Sequence, residues 1–223
     1  MKIKKTTLRF NLREEFPLNY GHYLRGYFAN RFSEILFHNH KEDGSFRYGY
    51  PLIQYKIVDG CPTIVGLEKG AKLISQYFLD IDEINLKGKV YTNFEKQLSV
   101  NEVEHTFAAT MKYKYQFLSP WMALSQKNYK KYTAGKDSDQ FDNNEFLQKL
   151  LVGNILSYAK SIDWWVDKQI FILPKLEERI VQFKGEKMIG FVGQFHSNLK
   201  LPDLIGLGNS TSRGFGTIRL LDK

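Results

Sequence analysis

Two histidines one residue apart, His38 and His40, stand in the stretch His38-Asn39-His40-Lys41-Glu42-Asp43-Gly44, close to Arg47. Imidazole gives and takes protons near neutral pH, so a pair can divide the work of general base and general acid. Alternatively, one ring transfers the proton while the other, as a cation, stabilises charge that develops in the transition state. The apolar period ends just before the pair, so both histidines lie at or beyond a helix C-terminus, where free carbonyls favour the protonated ring. A histidine-rich loop is also an ordinary solvated surface, and the pair alone does not separate the two readings. The remaining histidines are weaker candidates: His22 opens a helix, His105 falls at a domain junction with a structural role, and His196 ends a strand. Asp80, Asp82 and Glu83 crowd a helix end and read as a solvated terminus. Cys61 has no base partner nearby in sequence, and the single cysteine and five histidines show no zinc-type spacing.

A second constellation lies near the end of the chain. Gly206-Leu207-Gly208, five polar residues, and Gly214-Phe215-Gly216 precede a strand-like run from Thr217 to Leu221. Four glycines in eleven residues cost backbone entropy and need a geometric reason. They allow close approach by another backbone, and they allow several amides to turn toward one anion. The polar middle adds three hydroxyls, Asn209 and Arg213, all groups that contact phosphate. A strand follows where the phosphate loop and the dinucleotide fingerprint require a helix, which excludes both. The plainer alternative is a flexible turn feeding a terminal strand.

The charge fits a polyanionic partner. Net charge is +8 and the sequence pI is about 9.3. From His105 to Lys136 there is no acidic residue, while Lys112, Lys114, Lys127, Lys130, Lys131 and Lys136 alternate with Tyr113, Tyr115, Tyr129 and Tyr132. Lysines for phosphate and aromatic rings for bases is the composition that single-stranded nucleic acid requires. A strand puts Lys112 and Lys114 on one face and Tyr113 and Tyr115 on the other, so core tyrosines with solvated lysines are the competing reading. A single cysteine suits a reducing compartment. No signal peptide and no apolar run of membrane-spanning length is present, so the cytoplasm is expected.

Periodicity supplies the elements that must position these groups. Leu8, Phe10 and Leu12 alternate with basic and polar residues, as in a half-buried strand. A helix is expected from about Asn19 to Phe37, with Leu24, Tyr27, Phe28, Phe32, Ile35 and Leu36 as its apolar stripe. Strands over Phe46–Val58 and Thr63–Leu67 flank the hairpin signal Asp59-Gly60. A helix carrying Leu73, Ile74, Tyr77 and Phe78 and a strand from Val90 complete a βαββαβ order, the ferredoxin-like pattern. The polar stretch Ser99–Glu104 is the expected boundary, giving domains 1–101 and 102–223. The order then partly repeats. A strand spans Phe107–Leu118, a polar loop Lys127–Asp139, and a helix opens at a capping box of Asp142 and Glu145. Strands follow at about Lys168–Phe183 and Lys187–Phe195, with Pro174 marking an edge or bulge. A short Pro202-containing piece stands where the second helix belongs. The fold class is therefore α+β, two tandem ferredoxin-like domains, the second degraded, with the glycine-rich loop 206–216 before the last strand.

The glycine loop resembles the C-terminal motif of the CRISPR-associated repeat-processing endoribonucleases of the RAMP superfamily (the Cas-six family). All four glycines, the spacing and the position before the last strand match. Paired histidines one residue apart at the end of the first helix are similar to those of its b-type members. The resemblance implies a metal-independent endoribonuclease without cofactor that cuts the repeat in CRISPR precursor RNA, as part of antiviral defence. The RNA's own 2′-hydroxyl would attack, leaving a 2′,3′-cyclic phosphate. It implies catalysis by His38 and His40, and RNA contact by Arg47, Lys112, Lys114, Gly206, Gly208, Arg213, Gly214 and Gly216. Precursor RNA is the expected partner, with other effector subunits and a second copy of the chain as further candidates. Two rivals remain: a non-catalytic RAMP subunit that holds guide RNA in an effector complex, and a ferredoxin-like protein that binds no nucleic acid.

Overall fold

Alternation in the first residues does produce a strand. β1, Lys2–Asn11, buries Ile3, Leu8 and Phe10, and keeps Lys2, Lys4 and Asn11 exposed. The computed structural model describes residues 1–38 (His38 by its backbone alone), 49–136 and 141–221. By internal packing the chain divides into two units, one of Met1–Glu104 with Ser161–Asp163 and Thr211–Gly214, the other of His105–Lys160, Trp164–Ser210 and Phe215–Lys223.

In the first unit a 3-10 turn at Leu18–Tyr20 leads into α1, Gly21–Arg31, which buries Gly21, Leu24 and Phe28 at three- and four-residue steps. The single helix expected to Phe37 is broken. Phe32 is extended (φ −114°, ψ 132°), and a second short helix, α2, covers Ile35–His38. The break lets Phe32 and Phe37 stack at 5.0 Å and both enter the core beside Phe28. β2, Ile53–Val58, and β3, Cys61–Leu67, join through Asp59 and Gly60, both at positive φ as a two-residue hairpin requires. α3, Lys69–Tyr77, follows. A small hairpin of β4, Glu83–Leu86, and β5, Lys89–Thr92, intervenes before β6, Glu95–Glu104. The polar stretch read as a boundary is part of β6, which pairs with β1 from Lys2↔Glu104 to Asn11↔Glu95. It is an edge strand with both faces largely wet, so its sequence shows little apolar alternation. Sheet order β2-β3-β1-β6, all antiparallel, is the ferredoxin-like arrangement. Asp82 and Glu83 are not merely solvated. They pair with Arg31 at 2.6 and 3.4 Å and tie the end of α1 to β4.

The second unit repeats the topology. β7, Tyr113–Trp121, is central in the order β10-β7-β9-β8. It begins later than Phe107, which makes only an isolated bridge to Leu199. The polar loop expected after it contains a helix, α4, Gln126–Gly135, whose first turn is capped by the Ser125 hydroxyl accepting from Asn128 N at 3.3 Å. α5, Asn143–Ser161, opens at Asp142, whose Oδ1 accepts from the amides of Asn144 and Glu145 at 2.8 and 3.1 Å. β8, Ile172–Phe183, carries Pro174 at the sheet edge, and β9, Glu186–Ser197, pairs with it throughout. Between β9 and β10, Ile218–Leu220, the only helical piece is a 3-10 turn, Thr211–Arg213. Tyr115 takes the core role of the competing reading: it is buried, stacks on Phe195 at 5.0 Å, and its hydroxyl accepts from Leu201 N at 2.6 Å.

Candidate active site

The functional groups of the first unit gather around the outer edge of β2. β2 is an edge strand, and its unpaired side has to be covered. The Thr211–Arg213 turn and the start of α1 lie there. A Cβ added to Gly214 (φ +91°) would stand 3.0 Å from Tyr55 O, and one added to Gly21 would stand 2.8 Å from Arg213 O and 3.1 Å from Tyr55 O. Only glycine lets these three backbones meet. Tyr55 reaches in the other direction as well, its hydroxyl donating to Phe37 O at 3.4 Å, one residue before His38 closes α2. One residue of β2 thus ties together the start of α1, the middle of the glycine loop and the end of α2.

Three basic side chains belong to this cluster. His22 is exposed at the start of α1, its ring 3.8 Å from that of Tyr23. Arg25 lies three residues on, on the same helix face. Arg213 is half-buried, and burial together with the neighbouring Arg25 guanidinium holds its proton affinity below the ordinary arginine range. A half-buried guanidinium that feels a second cation favours an anion beside it. Beneath Gly214, Lys56 is fully buried, and its pKa is pushed down to about 7 by burial first and by Lys5 second.

The glycine loop uses its amides differently from the anion-cradle expectation. Leu207 N donates to Gly216 O at 2.9 Å, Asn209 N to Met122 O at 2.9 Å, Gly214 N to Thr211 O at 3.1 Å, and Gly216 N to Pro120 O at 2.9 Å. These amides serve chain closure and are not free for phosphate. At Gly216 (φ +62°) a Cβ would stand 1.9 Å from Leu207 O, so this glycine is a packing requirement. Gly208 rests against the Trp121 indole, and Gly206 forms an isolated bridge to Thr217.

The Cas6b N-terminal domain family matches residues 1–104, and the Cas6b C-terminal domain family matches residues 107–221. The chain belongs to the Cas6b family. A crystal structure of Cas6b is similar at 33% identity and TM-score 0.90, covering 99% of this chain and 100% of that one. A crystal structure of the CRISPR RNA processing endoribonuclease Cas6b is similar at 31% identity and TM-score 0.75, with the same coverage. An uncharacterized protein of Methanocaldococcus jannaschii, MJ0978, is 40% identical over 146 residues, which is 65% of this chain and 97% of that protein.

Within this Cas6b chain the site residues read from sequence divide into three sets. The structure brings Gly214 and Arg213 to the cluster on β2. Lys112 (exposed, just before β7) and Lys114 (half-buried, within β7) lie in the second unit, as do Gly206, Gly208 and Gly216. The His38 side chain, His40 and Arg47 lie outside the described residues. Sequence reasoning missed Arg25, whose signal was only an i,i+3 relation to His22, and Lys56, which no pattern marks as buried. His105 is structural: it is buried, its Nε2 lies 2.7 Å from the Tyr158 hydroxyl, and its ring lies 4.7 Å from Trp164. Among the described residues no cluster of metal-ligating side chains is present, and no helix is long and apolar enough to cross a membrane.

Proposed function

We propose that this Cas6b chain is an endoribonuclease that binds a CRISPR repeat in precursor RNA and cuts it once, on the repeat's 3′ side, without a metal. The observation that carries this reading is the end-to-end likeness to a CRISPR RNA processing endoribonuclease, joined to a cationic cluster beside the helix end that leads into the histidine pair. In the reaction one imidazole of His38 and His40 takes the proton of the 2′-hydroxyl. The 2′-oxygen attacks the adjacent phosphorus, the bond from phosphorus to the 5′-oxygen breaks, and the second imidazole protonates that oxygen. The products are a 2′,3′-cyclic phosphate and a 5′-hydroxyl. Arg213 and Arg25 hold the phosphate and offset the charge that accumulates on it. Lys112 and Lys114 hold RNA backbone elsewhere on the chain.

The test is to incubate the purified protein with its cognate repeat RNA in EDTA and map the product ends. A single cut with a cyclic end is expected. It is lost when the nucleotide on the 5′ side of the cut is 2′-deoxy, and lost with RNA binding kept in His38→Ala/His40→Ala. Tight binding with no cut by the wild-type protein overturns the nuclease and favours a guide-RNA-holding subunit.

A further inference from the structure

The second unit contains a cavity of about 720 Å³ between the start of α4 and the start of β9. Lys127 and Lys130 come from one face of α4, three residues apart, and Lys187 from β9. Ile189, on the same face of β9 as Lys187, gives it a half-buried apolar floor, and Tyr129, 46% exposed, lines it as well. Among the described residues its lining holds no carboxylate. The helix that carries two of the lysines and the tyrosine is fixed to the sheet: the Tyr132 hydroxyl donates to Glu178 Oε1 at 2.6 Å, Lys136 pairs with the same carboxylate at 2.5 Å, and the Tyr132 ring packs on Phe191. The cavity wall is therefore a docked element, not a solvated strap.

We propose that this cavity is a second RNA-binding site that takes a short single-stranded segment of the same transcript. Lys127, Lys130 and Lys187 contact successive phosphates, and a base stacks on Tyr129 beside Ile189. The proposal rests on the reading that the chain acts on RNA. The occupant is argued from complementarity: three lysines, one exposed aromatic ring and an apolar residue lining the same cavity match a polyanion whose units each carry a flat apolar face. An acidic peptide matches the charge but gives the ring nothing regular to stack on. None of these residues belongs to the cluster around Tyr55, so the site extends the RNA footprint and does not duplicate the reaction centre.

The experiment measures binding of a fluorescent oligouridine, and of a polyglutamate peptide, to the full chain across a salt series. The proteins are wild type, Tyr129→Ala, and Lys127→Ala/Lys130→Ala/Lys187→Ala. All these side chains except the apolar floor are exposed, and circular dichroism checks that the fold is kept. Each lost phosphate contact on a single strand removes about 0.7 from the slope of log affinity against log salt, so the triple variant should lower it by about 2. Tyr129→Ala should bind about tenfold more weakly with the slope unchanged. Oligouridine binding within twofold of wild type and with the same slope in both variants overturns the site. So does polyglutamate binding that matches oligouridine and ignores Tyr129. Cutting of repeat RNA is scored on the same preparations. Cutting with pocket-independent oligouridine binding removes this proposal alone. Pocket-dependent binding without cutting removes the nuclease reading alone.

Discussion

Arg213 and Arg25 are a case where the fold opposes a charge that a ligand would welcome. Burial and mutual repulsion lower the proton affinity of Arg213, and a phosphate reverses the repulsion with charge-assisted hydrogen bonds. Arg213→Ala and Arg25→Ala should therefore each weaken repeat-RNA binding about tenfold or more. Arg213→Lys should recover only part of the loss, since a point charge replaces a two-pronged donor. A titration in which both alanine variants match wild type would remove this pair from the interface. Lys56 behaves in the opposite sense. Its pKa is about 7 folded against 10.5 ordinarily, so between those pH values the unfolded chain holds a proton that the folded chain has released, and stability rises with pH. Lys56→Met lacks this titration. Its melting-temperature advantage over wild type should be largest at or below pH 7 and shrink toward pH 10; a difference that does not change with pH would refute the buried-amine account. Arg213 was legible in the sequence because glycines bracket it. Arg25 was not, because a helical reading attends to the apolar stripe and Arg25 finds its neighbour only in the folded chain. Lys56 was hidden by the period-two rule, which assigns one face of a strand to solvent, whereas β2 is buried on both faces.

At the scale of elements, glycines that look alike in the sequence carry opposite requirements. Gly216 has positive φ and backbone within 1.9 Å of where a Cβ would sit, so Gly216→Ala should cost well over about 3 kcal/mol and separate β10 from β7. Gly153 lies exposed inside α5 with nothing within 4 Å of a Cβ, so Gly153→Ala should stabilise by about 0.5–1 kcal/mol. Urea midpoints of the two variants read both numbers, and equal shifts of one sign would contradict the backbone argument. Other elements divide by how much apolar pattern they carry. α5 was legible from Asp142 and Glu145 because a cap and a long stripe agree. α4 was not: it buries little more than Tyr132 and Gly135, too little for a 3.6-residue period to emerge from lysine, asparagine and threonine. β6 escaped for the same reason, as an edge strand wet on both faces. The break between α1 and α2 escaped for another: an aromatic core can be entered equally well by a continuous stripe or by a turn that reaims Phe37.

For the whole molecule, the doubled ferredoxin-like order was readable because strand order follows from the succession of elements once right-handed crossovers are assumed. The sequence could not tell that the first unit includes residues from the far end of the chain. Thr211–Gly214 pack with residues 1–104, where they cover the open side of β2, against Tyr55 and the start of α1. A fragment ending at Glu104 keeps every strand of its sheet yet leaves that edge and the close-packed surface of Gly21 bare. Unpaired strand edges recruit other chains, so the fragment 1–104 should melt well below the full chain and form oligomers whose size grows with concentration. A synthetic peptide spanning 205–218 should partly reverse both effects, while the same peptide with Gly214→Val should not, because the close approach to Tyr55 O depends on the missing Cβ. Size-exclusion chromatography with thermal melts decides it: a monomeric 1–104 fragment melting within a few degrees of the intact protein would mean that the glycine loop serves the RNA site and is not needed to close the first unit. The expected outcome gives the loop both tasks, since the backbone fit that seals β2 also fixes Arg213 against the start of α1.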